Sequence, residues 1–194
     1  NITSKNRNII RKAQKNNIQI HHTEDYSIFE HFISIYNQTM QRDNAEEYYY
    51  FQEEFYKAIH DYLKGNYQVF YATLDDQIIA VSIILYANKQ MHYHLSGSLS
   101  EYRSFAPTNL LLYEVALWGH QEGYKTFHLG GGLGSGNDNL YKFKAAFNRK
   151  SGLQFSIGKQ IFNQALYNQL VEERLAEDPN FDLEGKYFPL YRAK

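Results

Sequence analysis

The segment between residues 67 and 98 constrains the fold more than any other part of this sequence. It contains three runs, "YQVFYATL", "QIIAVSIILYA" and "QMHYHLSGS", which are rich in β-branched and aromatic residues. Two short polar breaks, Asp75-Asp76 and Asn88-Lys89, separate these runs and are typical of hairpin turns. Strands joined by such short turns run antiparallel, so the sequence predicts a meander of three antiparallel strands.

Helical patterns precede the meander. The spacing of apolar residues predicts helices over residues 3–16, 25–42 and 44–65, with a short strand, "IQIHH", between the first two. The third of these helices is expected to begin after Asn44 as its N-cap and to stop at Gly65.

A second group of elements follows the meander. "PTNLLLYEVALWGHQEG" predicts a helix that begins near Pro107 and ends at Gly123, and "YKTFHLG" predicts a strand after it. A glycine-rich loop then leads into a short helix near 138–148, capped by Asn137 or Asp138, a strand "LQFSIGKQI" and a last helix near 163–176. An antiparallel meander joined to a strand-helix-strand crossover predicts one α/β domain over residues 1–194, with a mixed sheet and helices on both faces.

The glycines after residue 129 do not complete a known nucleotide-binding motif. The Walker pattern requires a lysine at the position that Asn137 occupies. Every alignment of GxGxxG with this loop lacks the third glycine. What remains is a strand end with exposed backbone, followed by the free N–H groups of a helix start. Ligands of open α/β sheets bind at such strand ends. We therefore interpret the loop as part of a candidate site, and the alternative is a surface loop.

The short helix after the loop carries one lysine near its apolar face. At about 100° per residue, Leu140, Phe143 and Phe147 share one face, which predicts a buried stripe. Lys144 lies on the shoulder of that stripe and Lys142 points nearly opposite. An ammonium group beside the core could stabilise an oxyanion in a groove. The alternative is a lysine whose stem covers apolar surface while its head stays in water.

Composition excludes several classes of protein. The absence of cysteine excludes disulfides, zinc-thiolate sites, iron-sulfur clusters and a thiol nucleophile. No apolar run approaches the roughly 20 residues that span a bilayer, and no signal peptide is evident, which predicts a soluble, cytoplasmic protein without a membrane span. His92 and His94 alternate on a strand, but no third ligand is spaced nearby, so we predict no metal site. A serine hydrolase is not predicted, since GxSxG is absent.

Positive charge is concentrated at the beginning of the chain, although the formal net charge is only -1. This basic segment could contact phosphates, for example those of tRNA, or form a solvated helix face. Its members all precede the first acidic residue, Glu24: Lys5, Arg7, Arg11, Lys12 and Lys15.

Three stretches of the sequence together resemble a known family. "NRNIIRKA", "PTNLLLYEVALWGHQEGYKTFHLGGG" and "LYKFKAAFN" are similar to the FemABX family of peptidoglycan-bridge aminoacyltransferases, within the GNAT superfamily. The resemblance implies a GNAT-like fold. It also implies transfer of an aminoacyl or acyl group from an activated donor to an amine acceptor, a small molecule or a muropeptide, in peptidoglycan precursor synthesis.

The same resemblance implies roles for individual residues. Lys144 would be catalytic, stabilising the tetrahedral intermediate or the leaving group, and Arg42 would bind the acceptor. Gly130, Gly131 and Gly132 would border the donor channel. Tyr93 and Ser96, close to where GNAT strands separate for the donor, would line the groove or belong to the core. Arg103 is assigned from its position before the Pro107 helix and not from the resemblance: it would meet a donor phosphate or pair with Glu101. The remaining expected binding positions are at the start of the short helix, Asn139 and Tyr141.

Two departures from the family leave the donor open. The pyrophosphate-binding signature of GNAT enzymes is replaced by "SEYRSFAPTNLLL", which weakens the case for CoA. FemABX proteins also have two GNAT-like domains, and this chain, which begins at Asn1, has about one, so we consider it either complete or a fragment. We expect no tightly bound cofactor and a donor that is aminoacyl-tRNA or acyl-CoA. The alternatives are an acyl-CoA-dependent N-acetyltransferase acting on a small amine and a noncatalytic binding domain.

Overall fold

A computed structural model describes residues 1–133, 136–150 and 152–193. The chain divides into two compact units, Asn1–Gly152 and Leu153–Lys194. The sequence-based assignment of a single domain to residues 1–194 stays a prediction.

The first unit is built on a five-stranded mixed sheet, which confirms the predicted α/β class. Neighbouring strands follow chain order, and only the pairing of β4 with β5 is parallel. Both predicted hairpin turns have the positive φ angles of type I′ turns, at Asp75-Asp76 and at Asn88-Lys89. The strands are β1 Gln19–Thr23, β2 Tyr67–Leu74, β3 Gln77–Ala87, β4 Gln90–Ser98 and β5 Thr126–His128.

Local signals explain where several helices of this unit begin and end. The Thr3 hydroxyl accepts a hydrogen bond from the Asn6 N–H, and Pro107 is the first residue of its helix. Gly123, with φ of +78°, follows the end of that helix. The helices are α1 Ser4–Lys15, α2 Ile28–Arg42, α3 Glu53–Tyr62, α4 Pro107–Gln121 and α5 Asn139–Ala145, with short 3-10 helices at Glu47–Tyr49 and Ser100–Phe105.

The sheet is covered by helices on both faces, as predicted. Helices α1 and α4 contribute Ile10, Ala13 and Leu111 to a buried cluster on one face. On the other face, α2 and α3 contribute Phe32 and Tyr56 to a second cluster. We refer to these as the α1–α4 face and the α2–α3 face.

The predicted helix over residues 44–65 is wrong at its beginning. Asn44 has φ of +49°, whereas an N-cap residue is usually extended, and the α-helix begins only at Glu53 after the extended residue Gln52. Gly65, with φ of +76°, lies just beyond the end of α3, as a stop signal should.

The second unit contains α6 Gln164–Glu177, which confirms the last predicted helix, and a 3-10 helix at Leu190–Arg192. The strand predicted from "LQFSIGKQI" is wrong, because residues 153–161 have no regular secondary structure. Leu153, Phe155 and Ile157 alternate with polar residues but are exposed, and alternation without a partner strand does not make a ladder. Throughout the part of the chain that the structure describes, every helix is too short or too polar to cross a membrane.

Candidate active site

A cleft opens between strand β4 and its neighbour, the edge strand β5. The two strands pair only at Gln90 with Thr126, Met91 with Phe127 and His92 with His128. Beyond His92, β4 continues to Ser98, whereas the chain after β5 departs into the glycine-rich loop. We define the cleft as the opening between residues 93–98 and residues 129–133. It lies at the carboxyl ends of two parallel strands, where α/β sheets bind ligands.

A β-bulge in β4 lies at the closed end of this cleft. Ile83 pairs with Leu95 and Ile84 pairs with Tyr93, so His94 is an extra residue on β4. A bulge interrupts the ladder, increases the local twist and changes the direction of nearby side chains, and bulges occur frequently beside active sites. Sequence reasoning did not find this bulge.

The side chains of β4 are divided between the two faces of the sheet. Met91 is buried in the α1–α4 cluster against Gly119, and Tyr93 packs on the same cluster. Leu95 packs on the α2–α3 cluster, and the ring of His94 lies 6.3 Å from that of Phe55, which belongs to the same side. Substrate in the cleft would therefore meet Tyr93 on one face and histidines on the other.

Helix α5 is held beside the cleft by a cap and by two aromatic side chains. The Asp138 carboxylate accepts hydrogen bonds from the N–H groups of Tyr141, at 2.7 Å, and Leu133, which confirms one of the two predicted caps. Phe143 and Phe147 pack against the α1–α4 cluster. Leu140, predicted to be buried with them, is instead 38% exposed, because it lies in the first turn of a seven-residue helix.

The ammonium group of Lys144 points into the cleft. Its Nζ atom donates a hydrogen bond to the carbonyl oxygen of Gly131 at 2.8 Å and lies 5.6 Å from the centre of the Tyr93 ring. Burial lowers the pKa of Lys144, and the charge of Asp138 acts in the opposite direction. A partly dehydrated cation held over a binding cleft can stabilise a developing negative charge.

Tyr93 and Ser96 continue the same wall. The Ser96 hydroxyl donates to the carbonyl oxygen of Val81 at 2.9 Å, so Ser96 is partly engaged within the sheet. Burial raises the pKa of the Tyr93 phenol, while the neighbouring hydroxyls of Ser96 and Ser82 act against that rise. Tyr93 is thus neutral at physiological pH and presents an apolar ring beneath the ammonium group.

The glycines predicted to border the donor differ in their surroundings. Gly130 has φ of +73°, and a Cβ atom there would lie 3.4 Å from Lys144 Nζ. At Gly132 a Cβ atom would overlap the Asp138 carboxylate, whereas Gly131 has open space around it. Asn139 and Tyr141 are exposed at the beginning of α5. Gly134 and Ser135, the later part of the same loop, lie outside the described residues.

Arg42 lies beside Ser98, the last residue of β4, and Arg103 lies in the 3-10 helix that follows this strand. Arg42 Nη1 donates to the Ser98 carbonyl oxygen at 2.8 Å, and its Nε pairs with Asp43 at 2.9 Å. A cavity of about 250 Å³ beside it is lined by Gln38, Gln41, Arg42, Ser98, Ser100 and Glu101.

Arg103 does not make the ion pair that was one of its two expected roles. It is exposed on the 3-10 helix that leads into α4, and no salt bridge joins it to Glu101 among the residues described. The basic residues of α1 are also exposed, and Lys12 donates to the Ser104 carbonyl oxygen of that 3-10 helix at 3.2 Å.

A histidine pair closes the cleft. The Nδ1 atoms of His92 and His128 are 3.0 Å apart, and their rings stack at 5.2 Å. Burial lowers the pKa of His92, helped by the charges of His128, His94 and Lys144. Burial also lowers the pKa of His94. Within the described ranges no three His, Asp or Glu side chains form a metal-binding group.

His128 was missed by sequence reasoning. His92 and His94 stand out because they alternate within one strand, but the partner of His92 depends on the register between β4 and β5. That register is set by a parallel pairing across the intervening α4 crossover, which the sequence does not specify.

Comparison with solved structures finds the same fold in several proteins. The structure of FemX superposes with a TM-score of 0.63 at 15% identity, over 74% of this chain and 52% of that one, so this chain spans about half the length of FemX. An aminoglycoside acetyltransferase from an uncultured soil metagenomic sample, in complex with sisomicin, superposes with a TM-score of 0.57 at 13% identity, covering 77% of this chain and 99% of that one.

A further structure, AAC(6')-Iy in complex with the bisubstrate analog CoA-S-monomethyl-acetylneamine, gives a TM-score of 0.52 at 14% identity, over 74% of this chain and 99% of that one. At sequence identities of 13–15%, these structural similarities establish the fold alone. No curated protein matches this chain.

The family comparison covers the sheet, both core faces and Lys144. Residues 4–145 match the model of the acetyltransferase (GNAT) domain, which is more than half of the chain. The chain therefore belongs to the GNAT acetyltransferase-domain family.

Proposed function

We propose that this protein transfers an acyl or aminoacyl group from an activated donor to an amine, with Lys144 stabilising negative charge on the reacting carbonyl oxygen. The observation that carries the proposal is the position of the Lys144 ammonium group, 2.8 Å from the Gly131 carbonyl oxygen and above the Tyr93 ring. Membership of the GNAT acetyltransferase-domain family supports acyl transfer as the reaction class.

The chemistry needs one cation at the carbonyl oxygen. As the amine nitrogen attacks, the carbon–nitrogen bond forms and the carbonyl electron pair moves to oxygen. When the intermediate collapses, the bond to the donor's oxygen or sulfur breaks. A fixed ammonium group in a partly dehydrated cleft stabilises that oxyanion more than the same group in water would, because the local dielectric is low.

We propose aminoacyl-tRNA as the first donor to test, with a muropeptide amine as acceptor in peptidoglycan precursor synthesis. Support comes from the "LYKFKAAFN" resemblance, from the likeness to FemX, and from the exposed basic residues of α1. The start of α4 adds to this, because its N-cap is Ala106 in a left-handed conformation without a capping side chain. That start does not resemble the glycine-rich cradle that binds a pyrophosphate.

Acyl-CoA acting on a small amine is the second candidate. The metagenomic aminoglycoside acetyltransferase and AAC(6')-Iy each align over 99% of their own length, and the AAC(6')-Iy structure contains a CoA-based bisubstrate analog. The third candidate, a noncatalytic domain of the same fold, would bind a ligand without transferring it.

Two measurements separate these candidates. Thermal-shift assays with CoA, acetyl-CoA and charged tRNA compare the donors, since a ligand that binds only the folded state raises Tm with its saturation. Stabilisation by acetyl-CoA alone would favour the second candidate.

Transfer assays then compare K144A with K142A, a matched variant whose lysine is exposed on the same helix. We expect K144A to lose about 100-fold to 1,000-fold in kcat, as for removal of one oxyanion-stabilising group. We expect K142A to match the wild type. Transfer by K144A within a few-fold of the wild type would exclude the proposed role.

A further inference from the structure

The pair formed by His92 and His128 lies at the closed end of the cleft. It is the last β4–β5 pair before the strands separate, so any group reaching the bottom of the cleft meets these rings. His92 is half-buried and His128 is exposed. The contact between their Nδ1 atoms, 3.0 Å, is within hydrogen-bond distance and requires a proton on one of the two nitrogens.

His92 and Lys144 approach the cleft from opposite sides of the sheet. Met91 faces α4, so its neighbour His92 points to the α2–α3 face, where its ring lies 5.9 Å from that of His94. Lys144 lies over Tyr93 on the α1–α4 face. A carbonyl between the strands would thus have the ammonium group on one side and an imidazole on the other.

We propose that His92 is the general base that takes the proton from the acceptor amine, and that His128 is a positioning residue that fixes its tautomer. This inference rests on the proposed acyl transfer. If His92 carries its proton on Nδ1 and donates it to His128 Nδ1, its Nε2 has a free lone pair directed away from the pair.

The proton and electron balance is complete with the groups named. The amine nitrogen forms its bond to the acyl carbon and becomes positively charged, while the carbonyl oxygen becomes negative beside Lys144. His92 Nε2 takes the proton from that nitrogen and becomes an imidazolium that still donates from Nδ1 to His128. On collapse the donor's oxygen or sulfur leaves with the bonding electrons, and the imidazolium returns its proton to that leaving group or to water.

Burial and the charges around His92 favour its neutral, basic form. Its surroundings include His94 on the same strand, His128 on β5 and Lys144 on α5, and each of these, when protonated, opposes a positive charge on His92. Together with burial they place the pKa of His92 below its ordinary value of 6.5, so that the ring is unprotonated at neutral pH.

The transfer assay tests His92 against a histidine outside the cleft. We expect H92Q to lower kcat by about 100-fold or more, the usual contribution of a general base, with the acceptor KM changed by only a few-fold. H31Q, which changes an exposed histidine on α2, is the matched control and should stay within a few-fold of the wild type. Imidazole added to H92A should restore part of the rate. Equal losses in H92Q and H31Q, or no rescue, would overturn the proposal.

A variant without the acceptor tests His128. The wild-type kcat/KM should fall as pH decreases through the pKa of His92, with its midpoint below 6.5. In H128A the Nδ1–H group of His92 loses its acceptor, so long-range proton–nitrogen NMR spectra should show both tautomers of His92, and kcat should fall several-fold. An unchanged His92 tautomer and an unchanged kcat in H128A would remove His128 from the proposal.

Imidazole NMR separates failure of this inference from failure of the proposed function. In the free wild-type protein, long-range proton–nitrogen spectra should show His92 as the Nδ1–H tautomer, titrating below 6.5. An Nε2–H tautomer would contradict the proposal even if transfer is observed. If the expected tautomer is found but no donor supports transfer in the wild type, the proposed function fails and the general-base role fails with it.

Discussion

The Nζ atom of Lys144 donates a hydrogen bond to the carbonyl oxygen of Gly131 at 2.8 Å. Helix α5 and the loop after β5 are therefore connected by the same group that is proposed to act on substrate. A lysine with only a surface role would extend into water, whereas this one is half-buried and its pKa is lowered by burial. The consequences for stability and for pH dependence can be measured separately.

We expect K144M to be at least as stable as the wild type at neutral pH. Because the pKa of Lys144 is lower when folded than its ordinary 10.5, the folded state binds this proton less tightly than the unfolded chain does. The charge therefore opposes folding below the folded pKa, and wild-type stability rises as pH increases from there towards 10.5. Methionine removes this effect, and the exposed Gly131 carbonyl can be rehydrated.

Urea denaturation at pH 7 and pH 10 measures the effect. The difference in unfolding free energy between K144M and the wild type should shrink as pH rises, because the wild type loses the destabilising charge of Lys144. Tyrosine ionisation occurs in both proteins and cancels in this difference. A large loss of stability in K144M at pH 7 would show instead that the lysine is structural.

Transfer activity should also decline in alkaline solution. The proposed role requires the ammonium form of Lys144, which is lost as pH rises through a pKa that lies below 10.5. In K144R the guanidinium stays charged over the whole range, so the alkaline decline should disappear even if the rate is lower. The measurement is kcat/KM from pH 7 to pH 10.5 for both proteins. An identical decline in K144R would assign it to another group.

Two glycines allow a matched test of the loop. In G132A the new methyl group would overlap the Asp138 carboxylate, which caps α5, so the helix carrying Lys144 must shift. We expect kcat to fall by roughly 10-fold to 100-fold, since a displacement of about 1 Å can cost on the order of 100-fold. G158A, in the second unit, has open space around the new methyl group and should behave as the wild type. Assays of transfer and Tm on both variants decide this, and similar losses in both would contradict it.

Local signals in the sequence predicted much of the first unit. The polar pairs at Asp75-Asp76 and Asn88-Lys89 adopt the positive φ angles that a two-residue hairpin needs, and they fix the meander independently of the rest of the chain. The position of Lys144 beside Phe143 and Phe147 follows from the angle between successive helical residues. Its catalytic role stays a prediction.

Features that depend on distant parts of the chain were not predictable in this way. The contact between His92 and His128 depends on the parallel register of β4 and β5, and the bulge at His94 depends on how β3 and β4 pair. The strand predicted over residues 153–161 failed because alternation describes a side-chain pattern and does not supply a hydrogen-bonding partner. Asn44 was mistaken for a cap because the preference of asparagine for caps and for positive φ cannot be separated by residue type.

The acceptor is expected to meet Arg42, whose side chain lines the cavity of about 250 Å³ beside Ser98. Its guanidinium uses Nη1 for the Ser98 carbonyl oxygen and Nε for Asp43, and a third nitrogen, Nη2, also reaches Asp43 at 3.3 Å. An acceptor carrying an anionic group could take over the donors now shared with Asp43, whose carboxylate is more exposed than the arginine.

R42Q should therefore raise the acceptor KM by about 10-fold to 100-fold, the range expected for a lost hydrogen bond to a charged group, with kcat nearly unchanged. The loss of acceptor affinity should be specific to acceptors with an anionic group, because a neutral analogue forms no ion pair with the guanidinium. R149Q, which removes an exposed arginine outside the cavity, controls for net charge. Steady-state kinetics with a matched anionic and neutral acceptor measure both effects. Equal changes in KM for the two acceptors would place the acceptor's anionic group away from Arg42.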